Sequence, residues 1–415
     1  MSHKVLFISY DGMTDPLGQS QVIPYMCGLS RLGYKITILS CEKKDRFRKM
    51  YSVIKERLDR AGILWEYLSF STRPPLLSKF WDIERLKAKA ARLHRRSGFS
   101  IVHCRSYMAS MVGLHLKTRQ GVPFIFDMRG FWADERVDGG VWNMANPIYS
   151  KLYRYFKRFE KKCLLTADAT VCLTKSGIRE MRTWDYVNPG VAAKLHHITT
   201  CCDIASFHPS YEEKKQRLFD ETDIRFVYIG SIGPWHSYDQ LTAFIRTAYN
   251  YLPGSSFKLI INTGREAIEN FIVQNNFRRD RFDIKFIPHR QVPEELIGTD
   301  IAFFFNPRQY SKIACSPTKM GEMLSAGLPV ITGPAVGDVD ELVTGNNIGC
   351  IIKEFNEKTV LAALQNVINM CKSGRLAVMD RCLQTADSYY SLAKGIEKYR
   401  NIYQSLEKGE PACKE

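Results

Sequence analysis

The stretch SPTKMGEMLSAGLPVITGP, residues 316–334, carries a cation where helix electrostatics disfavours one. Ser316 reads as an N-cap and Pro317 as the first helical residue, where a missing N–H costs nothing. Lys319 then falls in the first turn, where the helix dipole is positive and a capping box would carry Glu or Gln. A bound anion resolves the conflict. Free N–H groups at the helix start, the Thr318 hydroxyl and the Lys319 ammonium can converge on a phosphate. The competing explanation is a Lys319–Glu322 pair one turn apart, worth only about a few tenths of a kcal/mol. Glu322 faces the same side, and a carboxylate that accepts two hydrogen bonds suits a vicinal diol such as a ribose.

Two further stretches carry related chemistry. DGMTDPLGQSQ, residues 11–21, runs from a strand into a helix, and Gly18 there allows a ligand close to the backbone. The spacing is not G-x-G-x-x-G, which argues against a nicotinamide site. In FDMRGFWADE, residues 126–135, Asp127 and Arg129 follow a strand, and Asp134 and Glu135 come soon after. Strand ends are where α/β domains place their chemistry. Carboxylates can act as bases or accept sugar hydroxyls there, and Phe131 and Trp132 can stack on sugar faces. A salt-bridged loop tucked under Trp132 is the alternative. His103 fits a core position and a site position equally well.

The elements that must position these residues alternate between strand and helix, which calls for parallel sheets covered on both faces. Residues 4–9, 35–40, 101–104, 123–128, 169–174 and 194–199 read as strands of a first sheet, with one helix over 19–32 closed by Gly33. Residues 207–223 are polar and charge-rich and read as a linker. A second sheet follows, with strands at 224–233, 257–264, 283–288, 301–307, 328–332 and 349–353, and an amphipathic helix spans 393–408. The expected organisation is therefore a first domain over 1–206, the linker over 207–223, a second domain over 224–388, and a C-terminal helix over 389–415 packing back toward the first domain. Two doubly wound domains leave a cleft at the carboxyl edges of their sheets, and ligands bind at such edges.

Composition narrows the partners. The chain has 415 residues, 12 cysteines and a net charge of +16. No apolar run approaches the roughly 18 residues that a membrane span needs, and the N-terminus turns polar too soon for a signal peptide. The reading is a cytoplasmic protein with reduced, mostly buried thiols. The charge favours phosphorylated small molecules, polyanions or an anionic membrane surface. Much of it sits on helical stretches 85–96 and 151–162, which read as solvated faces or as attachment to the inner face of a membrane. No nucleic-acid motif appears.

Taken together, DGMTDPLGQSQ, FDMRGFWADE, VYIGSIGPWHSYDQL, SPTKMGEMLSAGLPVI and AVGDVDELV resemble the retaining glycosyltransferases of the GT-B fold, family 4. The resemblance implies two Rossmann-like domains, with a nucleotide-sugar donor held by the second and an acceptor by the first. It implies hexosyl transfer with retention, no cofactor and no required metal. By position, Glu322 would hold the donor ribose, Ser316, Thr318 and Lys319 the diphosphate, and Gly18 would lie against the phosphates. Asp127, Arg129 and Glu135 would serve the acceptor. The FDMRGFWADE block resembles members that act in polysaccharide or lipid-linked glycan assembly. Two departures stand out. Ala314 occupies the position of a second family glutamate, and Ser231 and His236 stand where the family often has a phosphate-gripping Arg and Lys. His236 can still donate a hydrogen bond. Rival readings are a sugar-nucleotide epimerase of the same layout and a non-catalytic protein that binds polyanions or membranes.

Overall fold

Short, nearly all-apolar runs make the strands, as buried parallel sheets require. In the computed structural model, which describes residues 3–74, 77–232 and 237–409, the chain divides into two units. Unit 1 comprises residues 1–199 with 392–415, and unit 2 comprises residues 200–391.

Unit 1 holds seven parallel strands: β1 (Lys4–Ser9), β2 (Lys35–Glu42), β3 (Leu64–Ser69), β4 (Ile101–Arg105), β5 (Phe124–Asp127), β6 (Ala169–Cys172) and β7 (Leu195–His197), in the order β3-β2-β1-β4-β5-β6-β7. The order reverses direction between β1 and β4, the point where such sheets open a crevice at their carboxyl ends. Val5, Leu6, Phe7 and Ile8 are wholly buried or nearly so. The β3 segment LWEYLS lacks the apolar run of the other strands: it lies at the sheet edge and mixes exposed and buried positions. The expected helix over 19–32 is two helices, Pro16–Gln21 and Ile23–Arg31, broken at Val22 (φ −120°, ψ −61°).

Unit 2 repeats the plan with β8 (Arg225–Gly230), β9 (Ser256–Ile261), β10 (Phe282–Lys285), β11 (Ile301–Phe304), β12 (Val330–Thr332) and β13 (Gly349–Ile351), in the order β10-β9-β8-β11-β12-β13. Its core is rich in rings: Phe226, Phe244, Phe257 and Phe303 are buried and in mutual ring contact. The stretch 207–223 is not a linker. It opens with the helix His208–Gln216, whose Ser210, Tyr211 and Lys214 are buried, and Phe207 joins the core. Its charges mislead because the Lys214 stem is buried in full, and burial lowers that ammonium to about 7.

The chain returns to unit 1 at Leu392. The helix Leu392–Lys408 buries Tyr399, Ile402 and Tyr403 there. No helix among the described residues is long and apolar enough to cross a membrane. Cys201 and Cys202, like most of the cysteines described, are buried free thiols.

Candidate functional site

Helix Thr318–Ser325 follows β11 and leads into β12, so its start lies at the carboxyl edge of the second sheet. Pro317 occupies the N-cap position and supplies no side-chain cap. Ser316 is therefore not the cap. It is buried and receives a hydrogen bond from the Thr200 hydroxyl at 2.8 Å, and it also bonds Tyr390. Thr318 begins the helix, half-buried. The first N–H groups are thus left without a side-chain acceptor at the positive end of the dipole.

Lys319 points into this region. Its Nζ is buried and has no hydrogen-bond partner among the described residues. The faces of Tyr228 and Phe304 lie 5.2 and 5.4 Å away, which offsets only part of the cost of desolvating an ammonium. Burial lowers its pKa to about 8. The alternative pair with Glu322 does not form. Glu322 is itself buried, and its Oε1 lies 2.6 Å from His289 Nε2. That hydrogen bond raises the His289 pKa, against the opposing effect of burial.

Two neighbours were not singled out in the sequence. Lys312 is a second buried lysine, whose charge also works against that of Lys319. Gly230, at the end of β8, has φ 155°, and a Cβ there would sit 2.9 Å from Lys319 Nζ. The backbone conformation favours glycine there, and a side chain would also crowd the lysine end. Ser231 follows, its carbonyl accepting from the Tyr228 hydroxyl at 3.0 Å. His236 lies outside the described residues.

In unit 1, Gly18 is buried within helix Pro16–Gln21. A Cβ on it would meet Gly12 O at 2.2 Å and Met13 Cα at 2.7 Å. The room it leaves is filled by the protein's own loop, so local packing by itself accounts for a glycine at this position. That loop is held by Glu42, which no sequence motif marks. Its carboxylate accepts from Met13 N at 2.6 Å, the Thr14 hydroxyl at 2.6 Å and the Ser40 hydroxyl at 2.6 Å.

Asp127 ends β5 and is buried. Its Oδ2 accepts from the Tyr399 hydroxyl at 3.1 Å and lies 3.6 Å from His103 Nε2. Its Oδ1 lies 3.9 Å from Arg129 Nη1. Burial alone would raise its pKa, but Arg129, His103 and Arg105 outweigh it and keep the carboxyl below its ordinary value. Arg129 adopts φ 61°, a left-handed conformation that side chains resist, at the strand end. His103 is a core residue: wholly buried, bonded to the Tyr403 hydroxyl at 2.8 Å and packed edge-on to Phe7. Asp134 is taken by Lys157 and Tyr153, and Trp132 stacks on Tyr107, so this part of the block is a salt-bridged aromatic loop. Glu135 lies half-buried in the first turn of helix Trp132–Asp138. The structure thus joins Asp127 with Arg129, and Lys319 with Gly230 and Ser231. Among the described residues no three His, Cys, Asp or Glu side chains gather as a metal site.

Residues 21–195 match the model of a glycosyl transferase 4-like domain. A search of curated proteins finds no match. Solved structures do resemble the chain. The sucrose-phosphate synthase of Thermosynechococcus elongatus aligns with a TM-score of 0.69 at 13% identity, over 98% of this chain and 100% of that one. Anabaena HepE in complex with UDP and glucose aligns at 0.66 and 13% identity, over 97% and 100%. A putative UDP-N-acetylglucosamine 2-epimerase from Listeria monocytogenes aligns less closely, at 0.59 and 12% identity, over 100% and 99%. These likenesses establish the fold: two Rossmann-like units of the GT-B type.

Proposed function

We propose that the protein is a retaining glycosyltransferase that moves a sugar from a nucleoside diphosphate donor to a saccharide acceptor of lipid-linked or polysaccharide type. The observation that carries this reading is the buried, unpartnered Lys319 ammonium beside an uncapped helix start. A cation buried without a partner is costly, and an arriving anion turns that cost into binding. The match of residues 21–195 to a glycosyl transferase 4-like domain supports the same class.

In this reading the donor diphosphate sits at Thr318, Lys319 and Ser231, with Glu322 toward the ribose. As the bond between the anomeric carbon and the diphosphate breaks, negative charge grows on the leaving oxygens, and the fixed N–H groups and Lys319 stabilise it. The acceptor hydroxyl attacks from the same face, and its proton passes to the departing diphosphate. This assigns Asp127 a positioning role through Arg129, consistent with its burial and low pKa. Glu135, on the following helix, serves the acceptor, and the mechanism asks no metal of the site. The exposed Leu77, Trp81 and Ile148, beside basic helices, suit work at an anionic membrane surface.

A thermal-shift series with nucleoside diphosphates, UDP first, tests the donor assignment: a specific binder raises Tm by mass action. Lys319→Met should remove that shift. The likeness to an epimerase favours a second reading, and a labelled nucleotide sugar incubated without acceptor separates them. Epimerised sugar would support the rival, and intact donor the transferase.

A further inference from the structure

Unit 1 contains a cavity of about 350 Å³ that the donor assignment does not use. It opens at the carboxyl edge of the first sheet. Tyr10 and Asp11 follow β1, Phe70 follows β3, Arg105 ends β4, and Trp132 lies just beyond β5. Ser106, at its wall, adopts φ 67°, a second strained non-glycine residue at this edge. Functional sites are where such strain is retained.

Its lining has two characters. Aromatic rings form the walls, among them Phe70, Trp132, Trp142 and Phe156. Four cations, Lys43, Lys79, Arg105 and Arg136, face one carboxylate, Asp11. Lys43 and Arg105 are engaged with Asp15 and Asp11 at 2.8 and 2.7 Å. Lys79 and Arg136 have no carboxylate within ion-pair distance among the described residues. Instead Lys79 Nζ lies 3.7 Å from the Phe70 ring centroid, and the Arg136 guanidinium 5.0 Å from that of Trp132. Burial lowers the Lys79 pKa against the opposing pull of Asp82, and the nearby Lys43 lowers it further. Its oxygen-bearing side chains are few, Tyr10, Asp11 and Ser106, and two of them are engaged: Asp11 with Arg105 and the Tyr10 hydroxyl with Asp82, which leaves cations and rings as the main recognition groups. Apolar side chains continue past the rim: Phe80 and Val141 line it and are exposed, and Leu77 and Trp81 stand exposed on the same helix as Phe80.

We propose that this cavity binds the phosphate-bearing end of an apolar chain, so that the acceptor is recognised as a phospholipid-like anionic amphiphile rather than as a free sugar. Arg136 and Lys79 meet the phosphate, the rings pack on the first carbons of the chain, and the exposed rim at Leu77, Phe80 and Trp81 leads the remainder outward. The volume lies at the lower end of small-molecule pockets, about 300–1,000 Å³, which suits a headgroup and chain start rather than a whole lipid. This assignment rests on the transferase reading for calling the ligand an acceptor, but the cavity's preference can be measured without turnover.

The test uses the full-length protein and three probes: farnesyl phosphate, farnesol and inorganic phosphate. Binding is followed by calorimetry and by tryptophan fluorescence, since Trp132 and Trp142 line the cavity. Farnesyl phosphate should bind at least about tenfold more tightly than either other probe, because each lacks one of the two complementary features. Lys79→Gln and Arg136→Gln should each weaken it by about fivefold or more, while the thermal shift with UDP stays at its wild-type size. Equal binding of farnesol would reduce the site to a greasy hole, and equal binding of phosphate to a simple anion site. Unchanged affinity in both variants would put the ligand elsewhere. If farnesyl phosphate binds through these residues while no nucleoside diphosphate shifts Tm, the cavity assignment stands and the donor assignment falls.

Discussion

Lys319 shows how one side chain can be both a stability cost and a functional asset. Its ammonium is buried without a hydrogen-bond partner, so replacing it with an apolar side chain of similar length should leave the fold as stable or more so. Lys319→Met is expected to keep or raise Tm while cutting turnover by about 10²–10³-fold; a large loss of Tm would show that the lysine holds the fold instead. The pH dependence follows from the same burial. In the free protein the lysine titrates at about 8, and a phosphate beside it would raise that value. Binding then takes up a proton in alkaline solution. UDP affinity should be level below about pH 8 and fall above it by up to about tenfold per unit, measured calorimetrically in wild type and in Lys319→Met, which should lose the slope. Stability moves the other way: the penalty of the buried charge is relieved as pH rises from about 8 toward about 10.4, where the unfolded chain still binds the proton. The local misfit of a lysine in a first helical turn was legible in the sequence. The partners of Ser316 were not, because Thr200 lies 116 positions away, and neither was the link between Glu322 and His289.

The elements at the first sheet's edge are held by contacts that spacing does not reveal. The Gly12–Thr14 loop hangs from Glu42, whose partners lie 28 and 29 positions earlier. Gly18 lets that loop close against its own helix. Gly18→Ala should therefore cost about 1–3 kcal/mol in a urea melt, since the new methyl would press on backbone atoms with little freedom to move. Unchanged stability would return Gly18 to a purely ligand-facing role. Most strands were readable because buried parallel strands are near-continuous apolar runs. β3 escaped because an edge strand needs only part of that pattern. The stretch 207–223 was misread for the opposite reason: a charged helix can bury the stems of its lysines and still look like solvent-exposed chain.

Across the whole molecule, two-unit organisation was legible from alternation, and so was the return of the C-terminal helix toward the first unit; the first division lies a few residues earlier than position 206, and 207–223 belongs to the second unit. The chain leaves unit 1 after Thr199 and returns at Leu392, and Cys202 and Ser391, just inside unit 2, lie side by side in a parallel bridge. The net charge of +16 is a property at this scale too. Binding to anionic vesicles should weaken steeply with salt, as screened surface charge does; salt-insensitive binding would point to the apolar rim instead. A chain ending at Ser391 should fail to form a stable first unit, with loss of hydrogen-exchange protection along β4 and β5, because Tyr399 and Tyr403 are the partners of Asp127 and His103. That dependence has a consequence for biosynthesis. On the ribosome the amino-terminal half emerges first, yet it must wait through the synthesis of the entire second unit before the segment that finishes it appears. During that interval Asp127 and His103 would be without their tyrosine partners, so the nascent first unit would stay open until the last helix is made.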